Sequence, residues 1–103
     1  MATVQDCRRS NIQYAAVTVD ISGVVTDLSL RDTTALFDKV EVARELVLRN
    51  TEAVAVKLNS VDNDSIDLFK NEGINMSGIP VADVYVTTSS KGAKVRIWIT
   101  GWN

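Results

Sequence analysis

Val95-Arg96-Ile97-Trp98-Ile99-Thr100 alternates without a slip, with Val95, Ile97 and Ile99 on one side of an extended chain and Arg96, Trp98 and Thr100 on the other. Successive strand side chains point to opposite faces, so the hexapeptide reads as a half-buried strand and not as a helix. Upstream, Ser89-Ser90-Lys91-Gly92 is a loop, and before it Val84 and Val86 alternate with Tyr85 and Thr87. The same two-residue period returns in Val54, Val56 and Leu58, which alternate with Ala53, Ala55 and Lys57 and stop at Asn59-Ser60. Beyond the polar loop Asp62-Asn63-Asp64-Ser65, Ile66 and Leu68 make a short strand with Asp67 and Phe69 opposite. Asn71-Glu72-Gly73 turns the chain, Ile74 and Met76 alternate once more, and Ser77-Gly78-Ile79-Pro80 is expected to break the strand.

The N-terminal half is less regular. Ile12 to Ile21 reads as a strand with a bulge near Ala16, because Tyr14 and Ala16 fall out of step with Val17, Val19 and Ile21. Ser22-Gly23 interrupts it, and Val24 to Leu30 continues extended, with Leu28 and Leu30 on one face. From Leu36 to Arg49 two periods compete. Leu36, Val40, Ala43 and Val47 fit a helix, which Asp32 would cap, whereas Val40 and Val42, then Leu46 and Leu48, fit a strand. Strand is preferred: Val40, Val42 and Val47 weaken a helix, and Ala43 to Glu45 can absorb a bulge between two alternating halves. Asn50 and Thr51 then form a turn.

Seven to eight short strands at spacings of about 8–12 residues, without helical crossovers, predict an all-β antiparallel β-sandwich, jelly-roll-like or immunoglobulin-like. Composition agrees, since 31 of the 103 residues are Val, Ile or Thr. Residues 1–13 are expected to form an N-terminal arm, and 14–103 one sandwich domain. A chain of this length can bury about 65% of its extended surface, enough for one core.

The inventory narrows the chemistry. There is no His, which removes Ser-His-Asp and Cys-His catalysis and the His-containing zinc sites, and a single Cys, Cys7, which cannot form an intrachain disulfide. Catalysis is therefore not expected, and neither is a cofactor. Cys7 beside Arg8 and Arg9 has neighbours that favour a thiolate, but a thiol in a flexible arm is the plainer reading. No apolar run approaches the 18 or so residues of a membrane span, and the first ten residues lack the apolar stretch of a signal peptide. The expectation is a soluble chain that is not exported by the secretory route.

Three constellations carry competing readings. Asp62-Asn63-Asp64-Ser65-Ile66-Asp67 begins like a calcium loop, but Asp67 stands where the loop needs Gly and Gly73 where it needs a bidentate Glu, so a solvated turn is preferred. Lys91, Lys94 and Arg96 beside Trp98 have the cation-plus-aromatic layout of single-strand nucleic-acid binders, a reading disfavoured by the formal net charge of -2. Trp98 and Trp102 are interface anchors if Val95, Ile97 and Ile99 face the core, and Tyr85 would join Trp98 on that surface if their strands are neighbours.

The segments Leu46–Thr51, Val54–Ser60, Ser65–Leu68 with Asn71–Gly73, Ile79–Thr88 and Ala93–Ile99 together resemble the small β-sandwich proteins of tailed-bacteriophage particles. The likeness covers half to two thirds of the chain and is a pattern of strand edges and turns, without a catalytic signature. It implies a non-enzymatic structural protein of the virion, made in the host cytoplasm. Such a protein is a homo-oligomer that contacts the major capsid protein as decoration or cement, or neck, tail or baseplate proteins as an accessory ring. Val4, Ile12, Tyr14, Tyr85, Trp98 and Trp102 are the expected interface residues, with Val4, Ile12 and Tyr14 of the arm pairing to a neighbour's sheet edge. The alternatives of another class are a carbohydrate- or protein-binding module using Trp98 and Tyr85 and a single-strand nucleic-acid binder using Arg96 with its basic neighbours.

Overall fold

The computed structural model describes residues 12–102. Eight strands form two four-stranded antiparallel sheets, one ordered β1-β8-β3-β6 and the other β2-β7-β4-β5. The strands are β1 (Ile12–Asp20), β2 (Leu28–Ser29), β3 (Val42–Asn50), β4 (Val54–Leu58), β5 (Ile66–Leu68), β6 (Ile74–Val81), β7 (Val84–Thr87) and β8 (Lys94–Trp102), with one helical turn, α1 (Leu30–Thr33), after β2. Within the sheets β1 pairs with β8, β2 with β7, β3 with β6 and β4 with β5. This is the nesting obtained when one long hairpin is rolled onto itself, and it makes the sandwich a jelly roll rather than an immunoglobulin fold.

The alternation read from sequence fills the space between the sheets. Leu46, Leu48, Ile97 and Ile99 of the larger sheet meet Val54, Val56, Val84 and Val86 of the smaller, all buried. Leu36, Phe37 and Val40 join them from the connection between α1 and β3. That segment is loop, and the strand begins at Val42, so the strand period governs the ambiguous stretch only in its second half. The bulge expected at Ala43 to Glu45 is present: Ala43 pairs with Gly101 and Glu45 with Thr100, which leaves Arg44 as the extra residue. It fits closely, since a Cβ on Gly101 would overlap the Val42 carbonyl oxygen.

Three local readings are corrected. β1 pairs with β8 in unbroken register from Ile12 to Asp20, so Ala16 is not bulged. Val17 and Val19 are in step with Gln13 and Ala15, and all four are half-buried beneath an incomplete opposing sheet. The extended run from Val24 to Leu30 shortens to the two residues of β2, because Ser29 accepts from the Asp32 backbone N–H and starts α1. β6 continues to Val81 instead of ending at Ser77. As an edge strand it tolerates Gly78 at φ 82° and Pro80, and the register to β3 shifts around them.

Candidate functional site

The larger sheet turns an aromatic, cation-lined face to solvent. Inward Val95, Ile97 and Ile99 force Lys94, Arg96, Trp98 and Trp102 of β8 outward, as their spacing predicts. The register sets Ile12, Trp102 and Val42 in one cross-strand row, Ala16, Trp98 and Val47 in another, and Thr18, Arg96 and Arg49 in a third. Tyr14 stands between the first two rows, opposite Thr100, and is 76% exposed. Guanidinium groups lie over both indoles, Arg44 at 5.7 Å from the Trp102 ring and Arg96 at 5.6 Å from that of Trp98.

Ile12, Tyr14, Trp98 and Trp102 therefore share one face. Tyr85 does not: β7 belongs to the other sheet, so the expected pairing of Tyr85 with Trp98 fails. No sequence pattern states which sheet a strand joins. Tyr85 instead sits half-buried in the row Ser29, Tyr85, Lys57, with Lys57 Nζ 3.1 Å from Asp27 Oδ2. The negative charge of nearby Asp83 raises the Tyr85 phenol above its ordinary value, helped by desolvation. Asp83 also accepts from Ser29 Oγ at 2.6 Å and from the backbone N–H of Arg31 and Val84, which ties α1 to β7.

β1 adds a second feature, an edge that pairs with no other strand among the described residues. It is a boundary strand of its sheet, and its apposed strand β2 covers only two residues. A groove of about 430 Å³ runs beside it, floored by Gln13 to Val17 and walled by Ala35, Asp38 and Lys39. Ile12 and Gln13, the last two residues of the expected arm, belong to this strand, paired with Trp102 and Gly101. Val4, Cys7, Arg8 and Arg9 lie outside the described residues.

The remaining candidates are structural or were missed. Asp62-Asn63-Asp64-Ser65 is closed by Asn63 Nδ2 donating to the Leu58 carbonyl and by Ser60 Oγ accepting from the Asp62 N–H, which is turn chemistry. Among the described residues no group of three acidic or thiol ligands converges. Sequence reading missed Phe69, which is 79% exposed and lines a cleft of about 450 Å³ on the smaller sheet with Val25 and Ala55. It also missed Arg49, whose place beside Arg96 only the register reveals.

No protein-family profile matches this chain, and no curated protein matches it. Among solved structures it is similar to a substituted form of a family 29 carbohydrate-binding module studied for ligand recognition. The identity is 11% and the TM-score 0.32, over 82% of this chain and 59% of that one. The chain thus spans about three fifths of that structure's length.

Proposed function

We propose that this chain is a non-enzymatic structural protein that assembles with copies of itself and with neighbouring proteins in a tailed-phage virion, as a capsid decoration or cement protein. A neck, tail or baseplate ring is the variant of the same reading. The observation that carries the assembly is the open edge of β1. A long unpaired strand edge is a template for another strand, and soluble proteins normally blunt it. Here the other edges are blunted: β6 by Gly78, Pro80 and a shifted register, β2 and β5 by lengths of two and three residues. β1 has nine residues in regular register, without proline and without charge before Asp20.

Its sequence also suits a second copy. Antiparallel pairing of two β1 strands about a two-fold axis at Ala16 sets Ala16 against Ala16 and Tyr14 against Thr18. Outward residues stay on one face, and the two larger sheets join. The phage setting rests on the sequence resemblance. The jelly roll hosts viral capsid and lectin domains alike, so the fold selects neither. A sugar-binding module would retain Trp98, Trp102 and Tyr14 as a platform but loses Tyr85 to the opposite sheet.

The test is sedimentation velocity over a concentration series, with Ala16→Lys as the edge variant. The expected outcome is a discrete oligomer for the parent and a folded monomer for Ala16→Lys. An Ala16→Lys protein that assembles as the parent does would remove the edge from the proposal. A deletion testing the arm has to stop at residue 11, since Ile12 and Gln13 are part of the sheet.

A further inference from the structure

We infer that the outer face of the larger sheet binds single-stranded nucleic acid along β8, with Arg49, Lys94 and Arg96 contacting phosphates and Trp98 stacking on a base. β8 presents Lys94, Arg96, Trp98, Thr100 and Trp102 outward in succession, a track of about 27 Å at 3.4 Å per residue. Cations leading into aromatics along one line follow a sugar-phosphate backbone while offering bases a flat surface.

The register supplies what the linear sequence hides. Arg49 lies directly opposite Arg96, both outward, and like charges in that position repel. The fold nevertheless holds them there. Arg49 Nη1 donates to the Leu48 carbonyl, and its side chain packs so closely over Gly73 that a Cβ there would come within 2.8 Å of Nη1. Arg96 is held over Trp98. Both arginines line a concavity of about 530 Å³, together with Thr18, Thr51, Asn71 and Lys94. Among the described residues the ion pairs within 4.0 Å are Lys57 with Asp27 and Lys70 with Glu52, neither at this site. A phosphate seated between the guanidinium groups would turn their repulsion into two charge-assisted contacts.

The formal charge of -2 does not decide the matter, because charge is distributed unevenly. Arg44, Arg49, Lys94 and Arg96 share this face with Glu45 and Asp20. The acidic groups of the other sheet lie beyond a core about 10 Å thick. That exceeds the screening length of about 8 Å at physiological salt, so the charge of this face is set by its own strand residues, four cations against two carboxylates, and by Asp38, Lys39 and Glu41 at its rim. Sugar rings also pack on indoles, so the ground for preferring nucleic acid to an acidic polysaccharide is the stronger stacking of a planar base on Trp98 beside cations spaced along one strand.

Both tryptophans of the chain are on this face, so intrinsic fluorescence reports directly on stacking. The parent is titrated with a labelled oligothymidylate from about 50 to 200 mM salt, following anisotropy and tryptophan quenching. Saturable binding with quenching is expected. Arg49→Gln/Arg96→Gln should weaken it at least tenfold and lower the salt slope by about 1.4, from about 0.7 per lost phosphate contact. Trp98→Ala should weaken binding while keeping the parent's slope. The titration is run at protein concentrations where sedimentation velocity shows the parent as a monomer, which separates this site from the assembly edge. Absence of binding, binding without quenching, an unchanged slope in the double variant, or equal affinity for a sulfated polysaccharide would each overturn the inference.

Discussion

Asn50 closes one end of the sandwich from inside, 3% exposed, with every polar atom of its amide engaged. Its Nδ2 donates to the carbonyls of Glu52 and Phe69, each at 2.8 Å, and its Oδ1 accepts from the Gly73 N–H at 2.8 Å. One side chain thereby satisfies three backbone groups of two turns that have no strand partner. Asn50→Ala should cost about 1–3 kcal/mol in urea unfolding, because three part-buried backbone groups lose their partner. Asn50→Asp should also destabilise, since a carboxylate cannot donate to the two carbonyls. Gly101→Ala tests the bulge: its methyl would overlap the Val42 carbonyl, at a cost near the upper end of the usual 1–3 kcal/mol or so for overpacking. Tyr85 sets a pH dependence. Its folded phenol titrates above its unfolded value, so its contribution is present below pH 10 or so and is lost as pH rises through the folded value. Urea midpoints should fall on the alkaline side, and Tyr85→Phe should flatten that fall. From sequence Asn50 reads only as a turn residue, because its partners are supplied by chain positions 19 and 23 residues away.

Elements were legible where burial on one face was strong enough to impose a two-residue period. β4, β7 and β8 read cleanly because their inward Val and Ile residues are almost wholly buried, and a slip would expose the whole set. β1 read as bulged because its inward row is Gln13, Ala15, Val17 and Val19, half-buried under a two-residue β2, so the pattern that marks a core face is diluted. Within the stretch from Leu36 to Arg49 only the first part misled, and for the opposite reason: Leu36, Phe37 and Val40 are buried without any periodic element, since the loop itself plugs the core, whereas the strand and bulge from Val42 onward are as expected. This loop gives an element-scale prediction. Phe37→Ala should destabilise by about 3–5 kcal/mol, as a core aromatic does. It should also loosen Arg31, whose guanidinium lies 4.6 Å from the ring and donates to the Ala82 and Glu41 carbonyls. Thermal unfolding measures the first effect. The second is measured by hydrogen exchange of the Glu41 N–H, which donates to the Trp102 carbonyl at the end of β8.

At the scale of the molecule, the nesting of first with last strand governs both what could be read and how the chain must fold. Strand identity follows from local alternation, but sheet membership follows from pairings between distant segments, which is why Tyr85 and Trp98 look like neighbours in sequence pattern and stand on opposite sides of the sandwich. The same pairings make folding slow. β8 lies between β1 and β3, so neither the larger sheet nor the closed core exists until the C-terminal segment has returned to the N-terminal one. Loop closure of that span is an entropic cost incurred before the contacts that offset it. Stopped-flow refolding followed by Trp98 and Trp102, both on β8, should therefore be a phase of about milliseconds to seconds, the range of all-β sandwiches. Removing residues 94–103 should leave an unfolded chain by circular dichroism, because the excision takes the central strand together with Val95, Ile97 and Ile99 of the core. A truncated chain that kept a cooperative β-sheet transition would show the smaller sheet to be stable alone and refute the dependence on β8.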